Sequence, residues 1–137
     1  MAFVAARMSV LRGRPPRRAS GISQNRGSSG LAITRGEVWL AALDPTVDSE
    51  IQKIRPCLIV SPPEMNDRLP TIIAAPMTTG SRPAPSRIVV RFQGRSGLIL
   101  LEQIRALDKR RLIRRLGTIG RDTLSRTLAT LREMFEE

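Results

Sequence analysis

From Glu37 to Leu101 the chain is a series of short apolar runs, each stopped by proline, glycine or a polar cluster. EVWLAAL (Glu37–Leu43) ends at Asp44-Pro45, and PCLIVS (Pro56–Ser61) ends at Pro62-Pro63. TIIAAPM (Thr71–Met77) runs into the loop TTGSRPAP (Thr78–Pro85). RIVVRF (Arg87–Phe92) runs through the turn QGRSG into Leu98–Leu101. Proline lacks an amide donor and restricts the residue before it, so no run can extend into a long helix. Runs of this length, rich in Val and Ile, read as strands. The polar stretch Thr46–Ile54 reads as a loop, residues 64–69 as a turn or short helix, and 107–118 as a helical turn followed by a last strand. Only the end of the chain has helical spacing: Leu124, Leu128, Leu131 and Phe135 share one face, with Asp122 in the first turn, where a negative charge suits the helix dipole. Five or six short strands and one C-terminal α-helix predict a mainly β fold, a small barrel with the helix over one end or edge.

With 137 residues there is room for one domain and one modest core, and at 3% aromatic content that core must be aliphatic. Residues 1–33, Arg-, Pro-, Gly- and Ser-rich, have too few bulky apolar side chains to offset the entropy of ordering. They read as a basic tail, disordered or outside the true protein start, with the domain proper at 34–137. A transit peptide is the other reading of this acid-free, Arg-rich start. The tail holds six arginines and no acid, so the rest retains 17 basic against 12 acidic residues, a net +5 of the overall +11. The domain is therefore basic by itself, which favours a polyanionic partner.

The lone cysteine, Cys57, allows no internal disulfide and suits a reducing cytoplasm; it reads as a small buried residue. The absence of histidine removes Ser-His-Asp, Cys-His and two-histidine chemistry, and leaves no cluster able to hold zinc. No metal or other cofactor is expected. Arg, Lys, Asp, Glu, Ser or Thr must carry any catalysis. No apolar stretch approaches the roughly 20 residues that span a membrane, so no membrane partner is expected.

Four blocks occur in order: Arg35-Gly36-Glu37-Val38-Trp39; Leu43-Asp44-Pro45-Thr46 with Ser49-Glu50 and Arg55-Pro56; Ala74-Ala75-Pro76-Met77-Thr78; and Leu100-Leu101-Glu102-Gln103-Ile104-Arg105. Together they resemble the MazF/PemK family of toxins over nearly the whole domain. The resemblance implies an SH3-like barrel with a C-terminal helix, shared with CcdB-type toxins, assembled as a homodimer. It also implies sequence-selective endoribonuclease activity on single-stranded RNA, and inhibition by an acidic, MazE-like antitoxin. Metal-free cleavage of this kind uses the substrate's 2′-hydroxyl as nucleophile and leaves 2′,3′-cyclic phosphate and 5′-hydroxyl ends.

On this resemblance Arg55 stabilises the phosphoryl charge, Thr78 donates to a phosphoryl oxygen and Glu50 removes the 2′ proton. Each has a plainer reading: a solvated arginine, a hydroxyl starting a turn, a surface carboxylate. Candidate RNA contacts are Trp39, Thr46, Ser49, Gln52, Lys53, Thr79 and Gln103. Trp39 is either a stacking platform for a base or a strand aromatic of the core. Glu102, Gln103 and Arg105 read as polar residues of the RNA groove or dimer interface. Lys109-Arg110-Arg111 and Arg114-Arg115 read as a solvated face that can touch phosphates. Two other functions stay open: a CcdB-like DNA gyrase poison, and a non-catalytic basic RNA-binding module.

Overall fold

The computed structural model describes residues 32–43 and 53–137. Within them seven strands are β1 (Glu37–Ala42), β2 (Ile54–Ile59), β3 (Thr71–Thr78), β4 (Arg87–Phe92), β5 (Arg95–Leu100), β6 (Arg105–Asp108) and β7 (Leu112–Thr118). Two helices are α1 (Pro63–Arg68) and α2 (Arg121–Met134). All pairings are antiparallel, in the order β4-β5-β3-β2-β1-β7. The remaining strand, β6, pairs with Thr71–Ala74 of β3, on the edge that β5 occupies further along at Met77–Thr78. A 3-10 turn at Lys109–Arg111 links β6 to β7, so the two flanks of the sheet meet and the sheet curls into a half-barrel.

Strand alternation sorts the side chains onto two apolar faces. Val38, Leu58, Ala75, Met77 and Ile99 point to one, where Leu124 and Leu131 of α2 pack on them. Trp39, Ala41, Leu43, Cys57, Ile59, Ile72, Ala74 and Leu107 fill the other, inside the curl. Central strands buried on both faces explain why PCLIV and TIIAAPM are almost wholly apolar rather than alternating.

The extra strand and the boundary changes have local causes. The segment expected as a helical turn and one strand is β6, a 3-10 turn and β7. The β4–β5 turn is tighter than QGRSG implied: Phe92 pairs with Arg95, leaving Gln93 (φ 53) and Gly94 (φ 79) as a two-residue turn. Two consecutive positive φ values match the right-handed twist of a hairpin. Phe135 does not belong to the packed face of α2. The helix stops at Met134 and Phe135 is 74% exposed, while Thr127 is fully buried with its Oγ1 donating to the Thr123 carbonyl (2.8 Å). The inward stripe is thus Leu124–Thr127–Leu131.

The Arg35–Trp39 block proves structural. The Arg35 Nε donates to the Val60 carbonyl (2.9 Å) and the Trp39 Nε1 donates to Glu37 Oε1 (2.9 Å). Gly36 has φ +95 and lies so close under α2 that a Cβ would meet Leu124 Cδ2 at 3.2 Å, which leaves glycine as the residue for both reasons.

Candidate functional site

Two prolines shape the site. Pro56 in β2 and Pro76 in β3 sit on neighbouring strands, and neither can donate to a ladder. The β2–β3 pairing accordingly runs Ile59↔Ala74, Leu58↔Ala75, Cys57↔Pro76 and stops. Continued by two residues, that register brings Arg55 level with Thr78. Past the stop, Met77 and Thr78 pair instead with Ile99 and Leu98 of β5. Arg55 and Thr78 thus stand at the same end of adjacent strands, beyond the last rung that joins them. Alternation sets both on the inner face of the curl, with Cys57, Ile59, Ile72 and Ala74.

Arg55 is half-buried, and its side chain forms no hydrogen bond or ion pair with the described residues. Thr78 is 5% exposed; its Oγ1 accepts from the Gly80 amide (3.2 Å), which starts the following turn and leaves the hydroxyl proton free to donate elsewhere. The turn-forming and functional readings of Thr78 are therefore compatible. Thr79 is exposed beside it. Lys53, exposed and with φ 67, begins the return into β2, and its carbonyl accepts from the Leu43 amide (2.8 Å). Gln103, half-buried, ends the 3-10 turn Leu101–Gln103 ahead of β6. Glu50, Thr46, Ser49 and Gln52 lie outside the described residues.

Trp39 takes the plainer of its two readings. It is 3% exposed, with its indole N–H held by Glu37, and borders a shallow pocket of about 340 Å³ with Ala32, Ile113, Arg114 and Arg115. A stacked base needs an open ring face, which this burial denies.

The inner face also gathers two cations from β6 and the turn after it, one read from the sequence as a groove or interface residue and the other as part of a solvated basic face. Arg105 alternates with Leu107 on β6, so it projects inward, and its Nη1 donates to the Leu43 carbonyl (3.4 Å). From the β6–β7 turn, Arg111 Nη1 donates to the Ala42 carbonyl (3.3 Å). Both reach across to the end of β1. Beneath them Cys57 is buried; burial pushes its thiol up to about 12, against the opposing pull of the Arg105 and Arg55 charges. A thiol so raised stays protonated, so Cys57 is no nucleophile here. The signals for Arg105 in the sequence were its place at the end of the fourth family block and its charge beside an apolar strand.

Glu102 is engaged structurally. Its Oε1 accepts from Ser86 Oγ (2.8 Å) and its Oε2 from Arg87 Nε and Nη2 (2.9 and 2.6 Å), while Arg87 Nη1 donates to the Arg82 carbonyl (2.9 Å). This clamp fastens the end of the loop that begins just after Thr78. Burial pushes the Glu102 carboxyl up, but bonds from Arg87, its own backbone and Ser86, with the Arg87 charge, hold it below its ordinary 4.5. A depressed carboxylate stabilises the fold above its unfolded value and loses that contribution as pH falls through the folded value. Wild type should therefore lose melting temperature more steeply than Glu102→Gln as pH drops below about 4.5. The difference should be small, because the pair is part-exposed; parallel melting-temperature curves for the two proteins would refute the clamp's role.

A curled antiparallel half-barrel, backed by one helix and collecting arginines at one end of its inner face, defines a small basic β protein. The family model for PemK-like, MazF-like toxins of type II toxin–antitoxin systems matches residues 34–135. The endoribonuclease MazF of Staphylococcus epidermidis is 40% identical over 86 residues, covering 58% of this chain and 72% of that protein. Among solved structures, MazF of Deinococcus radiodurans superposes with TM-score 0.68 at 24% identity, over 76% of this chain and 96% of that one. An endoribonuclease in complex with its cognate antitoxin, from a mycobacterial species, gives TM-score 0.64 at 24% identity, over 74% and 93%. The chain belongs to the PemK-like, MazF-like toxin family.

Proposed function

We propose that this protein is the toxin of a type II toxin–antitoxin pair and a sequence-selective endoribonuclease that cuts single-stranded RNA without a metal. The supporting observation is the placement of Arg55 and Thr78 on one face, level with each other, where two prolines end the pairing between their strands. The S. epidermidis relative is named an endoribonuclease, and the basic balance suits a polyanionic substrate.

In this reading the substrate's 2′-hydroxyl attacks the adjacent phosphorus in line. Arg55 grips the phosphoryl oxygens as negative charge builds on them, which its fixed fork of N–H donors allows. Thr78 donates its hydroxyl proton to the same oxygens. Glu50, assigned on sequence alone, takes the 2′ proton. Thr46, Ser49, Gln52, Lys53, Thr79 and Gln103 are the proposed RNA contacts. The products carry 2′,3′-cyclic phosphate and 5′-hydroxyl ends. A chain with no histidine and one cysteine lacks the usual ligands for a catalytic zinc, so the charge stabilisation falls to arginine. The active unit is a homodimer in the cytoplasm, and its inhibitor is an acidic antitoxin, as the toxin–antitoxin complex among the structural relatives suggests.

Purified protein should cut a long single-stranded RNA in EDTA at one short motif, giving 5′-hydroxyl ends. Inhibition by the chelator would remove the metal-free mechanism. Intact RNA from folded, antitoxin-free protein would remove the nuclease and leave a gyrase-type or purely binding role.

A further inference from the structure

Arg105 is a half-buried cation whose one described partner is a neutral carbonyl at 3.4 Å, a long contact for a guanidinium. The group carries five N–H donors, and no carboxylate of the described residues meets them. A half-buried charge that meets no acid among the described residues costs free energy, and a second cation nearby adds to that cost. Arg55 is that second cation. Its partner across β1–β2 is Ala41, and the carbonyl that Arg105 reaches belongs to Leu43, two residues further on, just past the end of β1, on the same inner face. Two residues of strand span about 7 Å. The Arg105 guanidinium therefore ends about one strand repeat from the Arg55 rung, after crossing the mouth of the curl from β6. The two charges also act on one sulfur, that of Cys57, from above the same apolar floor.

Two guanidiniums over a dry floor, with no described acid between them, form a seat for an anion with two charged walls. We infer that Arg105 is a second phosphate-binding arginine of this site, bracketing with Arg55 and the Thr78 hydroxyl a phosphodiester of the RNA strand. The inference rests on the nuclease reading for its ligand, and it gives a residue read from the sequence only as groove or interface a defined phosphate-binding role. One phosphate oxygen faces Arg55 and Thr78; Arg105 takes the other oxygen or the neighbouring phosphate. Its bond to Leu43 steadies the guanidinium in the absence of RNA.

The test compares wild type with Arg105→Gln and Arg105→Lys in the full chain. Glutamine keeps a donor for the Leu43 carbonyl without the charge, and lysine keeps the charge. Binding of a short single-stranded RNA, 2′-O-methylated throughout so that it cannot be cut, is followed against salt. Loss of one phosphate contact should flatten the plot of log affinity against log salt by about 0.7 in Arg105→Gln. It should also weaken binding about tenfold or more at low salt, as expected for one charge-assisted hydrogen bond. Arg105→Lys should keep the slope. An unchanged slope and affinity in a folded Arg105→Gln protein would overturn the proposal, even if cleavage fell, because the residue would then be a structural tie to Leu43. The two readings fail separately. Wild type that leaves unmodified RNA intact defeats the nuclease, whereas the salt slope of the uncuttable RNA judges Arg105 alone.

Discussion

Arg55→Ala leaves a folded protein that no longer cuts RNA at a useful rate. The expected loss in single-turnover cleavage is at least 10² to 10³, about 2.7–4 kcal/mol of transition-state stabilisation, as for removal of one preorganised donor in other enzymes. The fold should tolerate the change, because the Arg55 side chain is half-buried and bonds to none of the described residues. Melting temperature should move by no more than a few degrees. Arg55→Lys should recover little, since an ammonium cannot grip two oxygens in the plane a guanidinium offers. Fragment analysis on a gel with both variants settles the assignment: cleavage within a factor of a few of wild type in Arg55→Ala would remove Arg55 from the chemistry.

Asn66→Ala has the opposite signature, a large loss of stability with no direct effect on the site. Asn66 lies on α1 at 2% exposure, with its Oδ1 accepting from Ser61 Oγ (2.6 Å). Its Nδ2 donates to the carbonyls of Ile33 and Ser61 (3.0 and 3.1 Å). The Ser61 hydroxyl in turn accepts from the Ile73 amide (2.9 Å). One side chain thus joins the segment before β1, the end of β2 and the start of β3. Alanine strands two buried carbonyls and opens a small void, at a cost of about 2–4 kcal/mol. For a folded unit of this size that is a fall of about 10–20 °C in melting temperature. Asn66→Asp should be no better, because a carboxylate would face the same two carbonyls with no proton to give. Urea unfolding measures both, and a loss below about 1 kcal/mol in Asn66→Ala would show that the network carries little.

The two variants mark what a reading of the residues could and could not reach. The strands were legible because proline and glycine punctuate the apolar runs so closely, and α2 because its leucines keep helical spacing. Phe135 misled because periodicity ignores where a helix stops. The split of 107–118 into β6 and β7 was hidden because DKRR gives no β signal; the turn between them is made by Asp108, whose carboxylate accepts from the Arg110 amide (2.8 Å). Arg55 and Thr78 were reachable only through blocks resembling a family, since an arginine before a proline and a threonine before a loop are ordinary in isolation. Trp39 stood between a base platform and a core aromatic, and its burial, which decides for the core, depends on the curl. Arg105 stayed between the RNA groove and the dimer interface because nothing local shows which way a β6 side chain projects or how far it crosses.

By itself the sequence determined the class of the fold, the basic character of the domain and the exclusion of histidine chemistry, because these follow from composition and short-range backbone rules. Tertiary structure decided which charges meet. Register, continued two residues past its last pair, brings Arg55 and Thr78, 23 apart in sequence, level on one face, and curvature carries Arg105 across to Leu43. Both are long-range consequences of how strands pair and curl, and no stretch of neighbouring residues encodes them.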